Sequence, residues 1–411
     1  LKDSINHLIY VEKNLEYLVI KEIVMLSKNI KKNIEKGLSK IQVNKIQVTY
    51  PDKSTSVFGS SGSTVDLKIN SWKMLWLAIT RGDIGLAEGY FENHWSTSNL
   101  LDLMEFFSLN VDYITEISDG KNVFKIFTYI YHLRNKNSIS GSKKNILAHY
   151  DLGNNFYQKW LDSTMTYSSA FFDNKKMSLA EAQENKYQRI IDKLELKPGQ
   201  SILEIGCGWG GFIEYASKKG FNVKGITISD EQHKFATERL STIENSPEVV
   251  LKDYRLIEGK FDAIVSIEMF EAVGKEYWNS YFSKVRELLN KNGKALIQTI
   301  TIDDALFDKY ARTTDFIQTY IFPGGLLASD GVFKSMADKF KLETLNTKSF
   351  AHDYAKALEI WFHQFNDNWD DISKLGFNDR FKKLWDFYLA YCRGGFLSTR
   401  INVSQYLFEA K

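Results

Sequence analysis

The chain has 411 residues, 44% of them hydrophobic and 25% charged, with a formal net charge of +2. That describes a folded globular protein and excludes a disordered chain or one whose overall field would collect nucleic acid. Two cysteines, Cys207 and Cys392, give no disulfide framework, no apolar run suits a bilayer span, and Leu1-Lys2-Asp3-Ser4 lacks the form of a signal peptide, so the cytoplasm is expected.

Residues 5–37 read as helix. Ile41-Gln42-Val43, Ile46-Gln47-Val48-Thr49-Tyr50 and Val65-Asp66-Leu67-Lys68-Ile69 alternate as strands, with a turn at Pro51-Asp52-Lys53. Trp72 to Phe107 follows a helical pattern broken at Gly82-Asp83-Ile84-Gly85, so residues 1–110 form a small α+β domain. Residues 111–147 are the expected linker. Within them, 117–136 set Phe124, Phe127, Ile130 and Tyr131 beside Lys121, Lys125, Arg134 and Lys136, a pattern that suits an interfacial amphipathic segment or a packed helix equally.

From residue 148 to 411 the pattern is that of a catalytic domain. Strands are expected at 201–205, 222–228, 248–251, 261–267 and 293–300, alternating with helices. This predicts an α/β doubly wound, mostly parallel sheet whose ligands bind beyond the carboxyl ends of the strands. An aromatic-rich insertion at 303–330, helices near 353–372 and 376–394, and a strand near 401–408 complete the chain.

The strand tips carry the chemistry. Ile202-Leu203-Glu204-Ile205-Gly206-Cys207-Gly208-Trp209-Gly210-Gly211 reads as a buried strand, a glycine turn and a helix. The glycine spacing alone fits several nucleotide cofactors. Glu204 discriminates among them, because an acid on an apolar strand calls for a cationic ligand and would repel a pyrophosphate. The second strand ends in Thr227-Ile228-Ser229-Asp230, offering hydroxyls, with Asp230 expected as the next helix's N-cap. Lys252-Asp253-Tyr254-Arg255 follows the third strand and suits either an adenine contact or a surface turn. Ser266 to Gly274 follows the fourth and sets Glu271 beside the ligand.

With these residues in view, the chain resembles the cyclopropane-fatty-acyl-phospholipid synthases, within the class I methyltransferases that use S-adenosylmethionine. The motifs are Gly85-Leu86-Ala87-Glu88-Gly89-Tyr90, His149-Tyr150-Asp151-Leu152-Gly153-Asn154, Thr166-Tyr167-Ser168-Ser169-Ala170-Phe171-Phe172, the glycine turn, Met269-Phe270-Glu271 and Tyr320-Ile321-Phe322-Pro323-Gly324-Gly325. The resemblance implies a seven-stranded sheet. Tyr167 and Ser168 would close over the cofactor, with Leu203, Glu204, Gly206, Cys207, Gly208 and Gly210 as its cradle. Thr227 and Gln232 would flank the ribose, and Tyr254 and Arg255 the adenine. It further implies a bicarbonate held by Ser169, Glu271, Gln298, the backbone of Ile300, and Tyr354, and no metal. Ser169 stands where many relatives have Cys, Gln298 where many have His, and Ala272 where His often follows the Glu.

The implied reaction is attack of an alkene on the sulfonium methyl, followed by proton loss to bicarbonate and ring closure. Such chemistry needs alignment, dryness and a weak base rather than a strong nucleophile. Aromatic faces at Phe171, Phe172, Tyr310, Phe316, Tyr320 and Phe322 are candidates to stabilise the cation. The expected substrate is an unsaturated acyl chain of a phospholipid, reached by a homodimer docked peripherally on the inner face of the membrane. A methylene- or methyl-branched product, a small-molecule N- or O-methyltransferase, and a non-catalytic lipid-binding protein stay open as alternatives.

Overall fold

The computed structural model describes residues 27–115, 152–244 and 247–411. The amphipathic reading of 117–136, the start of the first helix and His149-Tyr150-Asp151 lie outside them. Two compact units emerge, one comprising the described residues up to 115 together with Asn378–Gly394, the other the described residues from 152 to 377 with Gly395–Lys411. The helix Asp379–Leu397 thus gives most of its length to the first unit, whereas the sequence pattern places it in the catalytic domain.

In the first unit, β1 (Lys45–Thr49), β2 (Thr55–Phe58), β3 (Thr64–Ile69) and β4 (Trp95–Ser96) form a sheet of order β2-β1-β3-β4. The turn at Pro51-Asp52-Lys53 pairs β1 with β2, a strand beyond those the sequence pattern predicts, and Asp52 accepts from the Ser54 N–H at 2.9 Å. Ile46, Val48, Val65, Leu67 and Ile69 are buried, as the period-two pattern requires. Ile41-Gln42-Val43 is not a strand. The Ile41 N–H donates to the Leu38 carbonyl at 3.2 Å, and Asn110 donates to the Val43 carbonyl at 2.9 Å and accepts from its N–H at 3.3 Å. The helical pattern from residue 73 bends at Gly82, whose φ of 58° and ψ of −131° interrupt the helix Lys73–Phe91.

The second unit holds β5 (Ser201–Ile205), β6 (Asn222–Thr227), β7 (Glu248–Leu251), β8 (Phe261–Ile267), β9 (Leu289–Ile302), β10 (Ala328–Ser329), β11 (Leu342–Ser349) and β12 (Ile401–Ala410). Seven of these lie in the order β11-β12-β9-β8-β5-β6-β7, with the short β10 attached to β9. The pairs from β9 to β7 are parallel, and β12 is antiparallel to both of its neighbours. β11 was not anticipated, because Leu342-Glu343-Thr344-Leu345-Asn346 alternates weakly and belongs to an exposed edge.

Helices cover both faces. Leu203, Ile205, Ile264 and Ile297 join Phe270, Trp278, Tyr281 and Phe333 in one apolar layer. Ile202, Ala263, Val265 and Leu296 join Ile190, Leu194, Phe212 and Ile213 in the other. Each fully buried large apolar side chain contributes about 1.5–3 kcal/mol, and these layers fix the strand tips in space. Strand order reverses between β5 and β8, which opens the ligand crevice there.

Candidate active site

The turn after β5 has left-handed backbone at Gly206 (φ 83°), Gly208 (φ 52°) and Gly210 (φ 82°), conformations that L side chains adopt only with strain. A Cβ on Gly206 would lie 2.6 Å from Met269 Cγ, so the turn sits directly against the tip of β8. The N–H groups of Gly206 and Cys207 donate to the Ile226 carbonyl at 3.0 and 2.9 Å, clamping the turn to β6. Burial, with Glu204 beside it, pushes the Cys207 thiol up, so that residue packs rather than reacts. Leu203 is fully buried in the strand.

Glu204 is 3% exposed, and its Oε2 has no hydrogen-bond partner among the described residues. Burial raises its pKa to about 8, opposed by Lys186. A buried carboxyl oxygen left unpaired is costly in the empty protein and is satisfied by an incoming ammonium. Together with the open glycine backbone, it fits the methionine end of S-adenosylmethionine.

Lys186 was missed by sequence reading. It lies on the helix Leu179–Leu194, which is started by a capping box between Ser178 and Glu181. Leu179, Ala182, Gln183, Lys186, Tyr187, Ile190, Ile191 and Leu194 form its buried face, so the signal was a lysine on an apolar stripe. Its Nζ donates to Ser168 Oγ at 2.7 Å, and Gln183 donates to the Ser168 carbonyl at 2.9 Å. Desolvation lowers the ammonium pKa to about 8, countered by Glu268, Asp162 and Glu204. The strap carrying Tyr167 and Ser168 is thereby tethered. Tyr167 itself packs within 5.5 Å of the Tyr157, Trp160 and Trp361 rings.

At the β6 tip, Thr227 Oγ1 donates to Gln232 Oε1 at 2.8 Å. Ser229, not Asp230, caps the following helix, accepting from the Gln232 N–H at 3.3 Å, with Asp230 one residue inside. After β7, the Arg255 guanidinium grips Asp253 through Nε at 2.8 Å and Nη2 at 2.6 Å. Tyr254 is buried against Tyr281.

The densest chemistry stands at the end of β8. Glu268 adopts φ 50°, a left-handed step unusual for a residue with a side chain. Its Oε1 accepts from the Ser169 N–H at 2.9 Å and from Gln298 Nε2 at 2.7 Å, and its Oε2 accepts from the Tyr354 hydroxyl at 2.7 Å. Gln405 Nε2 donates to Gln298 Oε1 at 3.0 Å and fixes the amide. Tyr354 stacks on Phe396 with centroids 4.3 Å apart. Three residues later, Glu271 Oε1 accepts from the Ile300 N–H and from Thr299 Oγ1, while its Oε2 is unpaired among the described residues.

Glu268 and Glu271 are half-buried as whole residues, with their carboxyl groups enclosed. Burial and then the neighbouring Glu268 push Glu271 up to about 8. Burial also raises Glu268, but Lys186 and three donors favour its charged form. The expected bicarbonate does not fit this arrangement. The Ser169 N–H, the Gln298 amide, the Ile300 N–H and the Tyr354 hydroxyl already end on two carboxyls, the Ser169 hydroxyl donates to the Ala170 carbonyl at 3.0 Å, and a further anion would face like charge.

The aromatic candidates separate. Phe172 carries the Lys356 ammonium over its ring at 3.8 Å, so that face is already taken by a cation. Phe171 meets Phe350 edge-on at 5.4 Å, and Phe316 lies buried beside Tyr320. The Tyr310 hydroxyl accepts from the Leu327 N–H at 3.3 Å within the 303–330 insertion, and Leu326 N–H donates to the Glu271 carbonyl at 3.0 Å. No helix of the described residues is long and apolar enough to cross a membrane.

Comparison with known proteins follows the same line. Residues 137–406 match the family described as mycolic acid cyclopropane synthetase. Tuberculostearic acid methyltransferase UfaA1 of Mycobacterium tuberculosis is 33% identical over 79% of this chain and 78% of its own. The cyclopropane-fatty-acyl-phospholipid synthase of Escherichia coli K12 is 32% identical over 85% and 89%. Among solved structures, mycolic acid cyclopropane synthase CmaA1 complexed with SAH and CTAB is 31% identical, with a TM-score of 0.61 over 65% of this chain and 98% of that one. The chain belongs to the mycolic acid cyclopropane synthetase family and is an S-adenosylmethionine-dependent methyltransferase.

Proposed function

We propose that this enzyme methylates the cis double bond of an unsaturated acyl chain in a phospholipid and closes the product to a cyclopropane. The observation that carries the reading is the pair Glu268 and Glu271 at the β8 tip, against the glycine turn and within a frame of fixed donors. Such a site offers alignment and proton acceptance. Among the described residues it has no cluster suited to a metal.

When bound, S-adenosylmethionine supplies an electrophilic methyl on a sulfonium. Glu204 would receive its ammonium, and Gly206, Cys207, Gly208 and Gly210 would cradle the methionine under Tyr167 and Ser168. Thr227 and Gln232 would border the ribose, and Tyr254 the adenine, with Arg255 holding that loop through Asp253. An alkene held against that methyl would take it, its π pair forming the new C–C bond while sulfur keeps the C–S electrons, and loss of a proton from the transferred carbon would let the C–H pair close the ring. Glu271, raised to about 8 and carrying its proton at neutral pH, keeps a second negative charge from competing for the cation.

A second reading has its own support. The resemblance to a tuberculostearic acid methyltransferase, with Ser169, Ala272 and Gln298 around the site, favours a methylene- or methyl-branched chain. Proton NMR of the lipid after incubation with S-adenosylmethionine decides between them. Ring protons resonate far upfield, whereas vinylic or new methyl signals support branching, and an unmodified lipid refutes both readings.

The proposal extends to access. Residues 1–110, helped by 117–136, would dock a cytoplasmic homodimer on the inner face of the membrane and pass the acyl chain to the 303–330 region. Flotation on anionic phospholipid vesicles, with and without residues 1–110, tests this: equal flotation by both forms refutes it.

A further inference from the structure

We propose that Glu268 is the proton acceptor of the reaction, a carboxylate built into the chain in place of a bound bicarbonate. The inference rests on the reading of the enzyme as a lipid alkene methyltransferase. Three of the five groups that the resemblance assigns to an anion (Ser169, Gln298 and Tyr354) donate to Glu268, at 2.7–2.9 Å. A fourth, the Ile300 N–H, donates to Glu271, itself the fifth. A side-chain carboxylate presents the same planar O–C–O edge as bicarbonate, so Glu268 occupies the donors of this frame as such an anion would.

The backbone supports this assignment. Glu268 keeps φ at 50°, a left-handed conformation that is strained for a residue with a Cβ. Strain of this kind persists where the surroundings over-determine it, and here side chains or backbone from 169, 298 and 354 converge on one carboxylate.

The step balances. A lone pair on a Glu268 oxygen takes one proton from the newly attached methyl, and the freed C–H pair forms the third ring bond to the cationic carbon. The products are the cyclopropane chain, S-adenosylhomocysteine and a protonated Glu268, which returns its proton to solvent as the lipid leaves.

The test uses the full chain with dioleoylphosphatidylglycerol vesicles and S-adenosylmethionine in carbon dioxide-free buffer, with and without added bicarbonate. Wild-type turnover is expected to be the same in both. Glu268→Gln keeps the shape and removes the base, and loses about 100-fold or more in turnover, with S-adenosylhomocysteine affinity by calorimetry unchanged. Glu268→Ala opens the frame, so added bicarbonate raises its turnover at least tenfold, and labelled bicarbonate shows a bound carbon-13 signal that wild type lacks. Wild-type turnover that collapses without bicarbonate, or a fully active Glu268→Gln, overturns the assignment while leaving the lipid reading intact. A wild type that modifies no lipid in either buffer overturns the lipid reading itself.

Discussion

Glu204 and Glu268 sit at the ends of adjacent parallel strands, one at the tip of β5 and the other just past β8. Their surroundings are opposite. Glu204 has an oxygen without a partner among the described residues, and burial raises its pKa to about 8. Glu268 has three donors and a nearby ammonium. An unsatisfied buried acid waits for a ligand's cation, whereas a fully framed one is held by the protein to act on something else. The contrast separates binding from chemistry within one crevice.

The sharpest way to break this comparison is to exchange each acid for its amide. Glu268→Gln is expected to lower turnover about 100-fold or more with cofactor affinity retained. Glu204→Gln should do the reverse, weakening S-adenosylmethionine binding about 10- to 100-fold, the worth of one charge-assisted hydrogen bond. Turnover at saturating cofactor should change far less. If both variants lose affinity alike, the division of roles fails.

Lys186→Met comes next. Removing the ammonium leaves Glu268 facing its desolvation with fewer compensating charges, so its pKa rises further. The acid limb of the pH profile of kcat should move upward relative to wild type, and an unmoved limb would separate Lys186 from the base. Gln405→Leu is smaller again. It frees the Gln298 amide that Gln405 orients, and a severalfold fall in kcat with KM unchanged is expected, since only one neutral hydrogen bond of about 1 kcal/mol is lost.

Stability gives an independent view of Glu204. Its folded pKa, raised to about 8 from an ordinary 4.5, means that the folded state holds a proton the unfolded chain releases. The associated stability is complete below about pH 4.5 and is lost as pH rises through about 8. Glu204→Gln should therefore show a smaller fall in Tm between pH 5 and pH 8.5 than wild type. An equal fall would show that Glu204 titrates normally.

Parts of this were legible in the sequence because they are local. The glycine turn follows an apolar strand within ten residues, and period-two and helical patterns gave β5 to β8 directly. Glu271 stood out beside Met269 and Phe270. Glu268, three residues closer to the strand, did not, because its meaning comes from partners 99, 30 and 86 positions away and from a left-handed backbone step. Lys186 was readable as a misplaced charge on an apolar stripe, but only burial shows that its compensation comes from acids on other elements. Ile41-Gln42-Val43 alternated like a strand, yet Asn110, far along the chain, satisfied the Val43 backbone.

The most direct test of the account is turnover of the wild-type enzyme on unsaturated phospholipid with methyl-deuterated S-adenosylmethionine in bicarbonate-free buffer. The account predicts an undiminished yield of cyclopropane chains that retain two deuterons, the third having left to Glu268. A yield restored only by bicarbonate, or chains that keep all three deuterons, would contradict it.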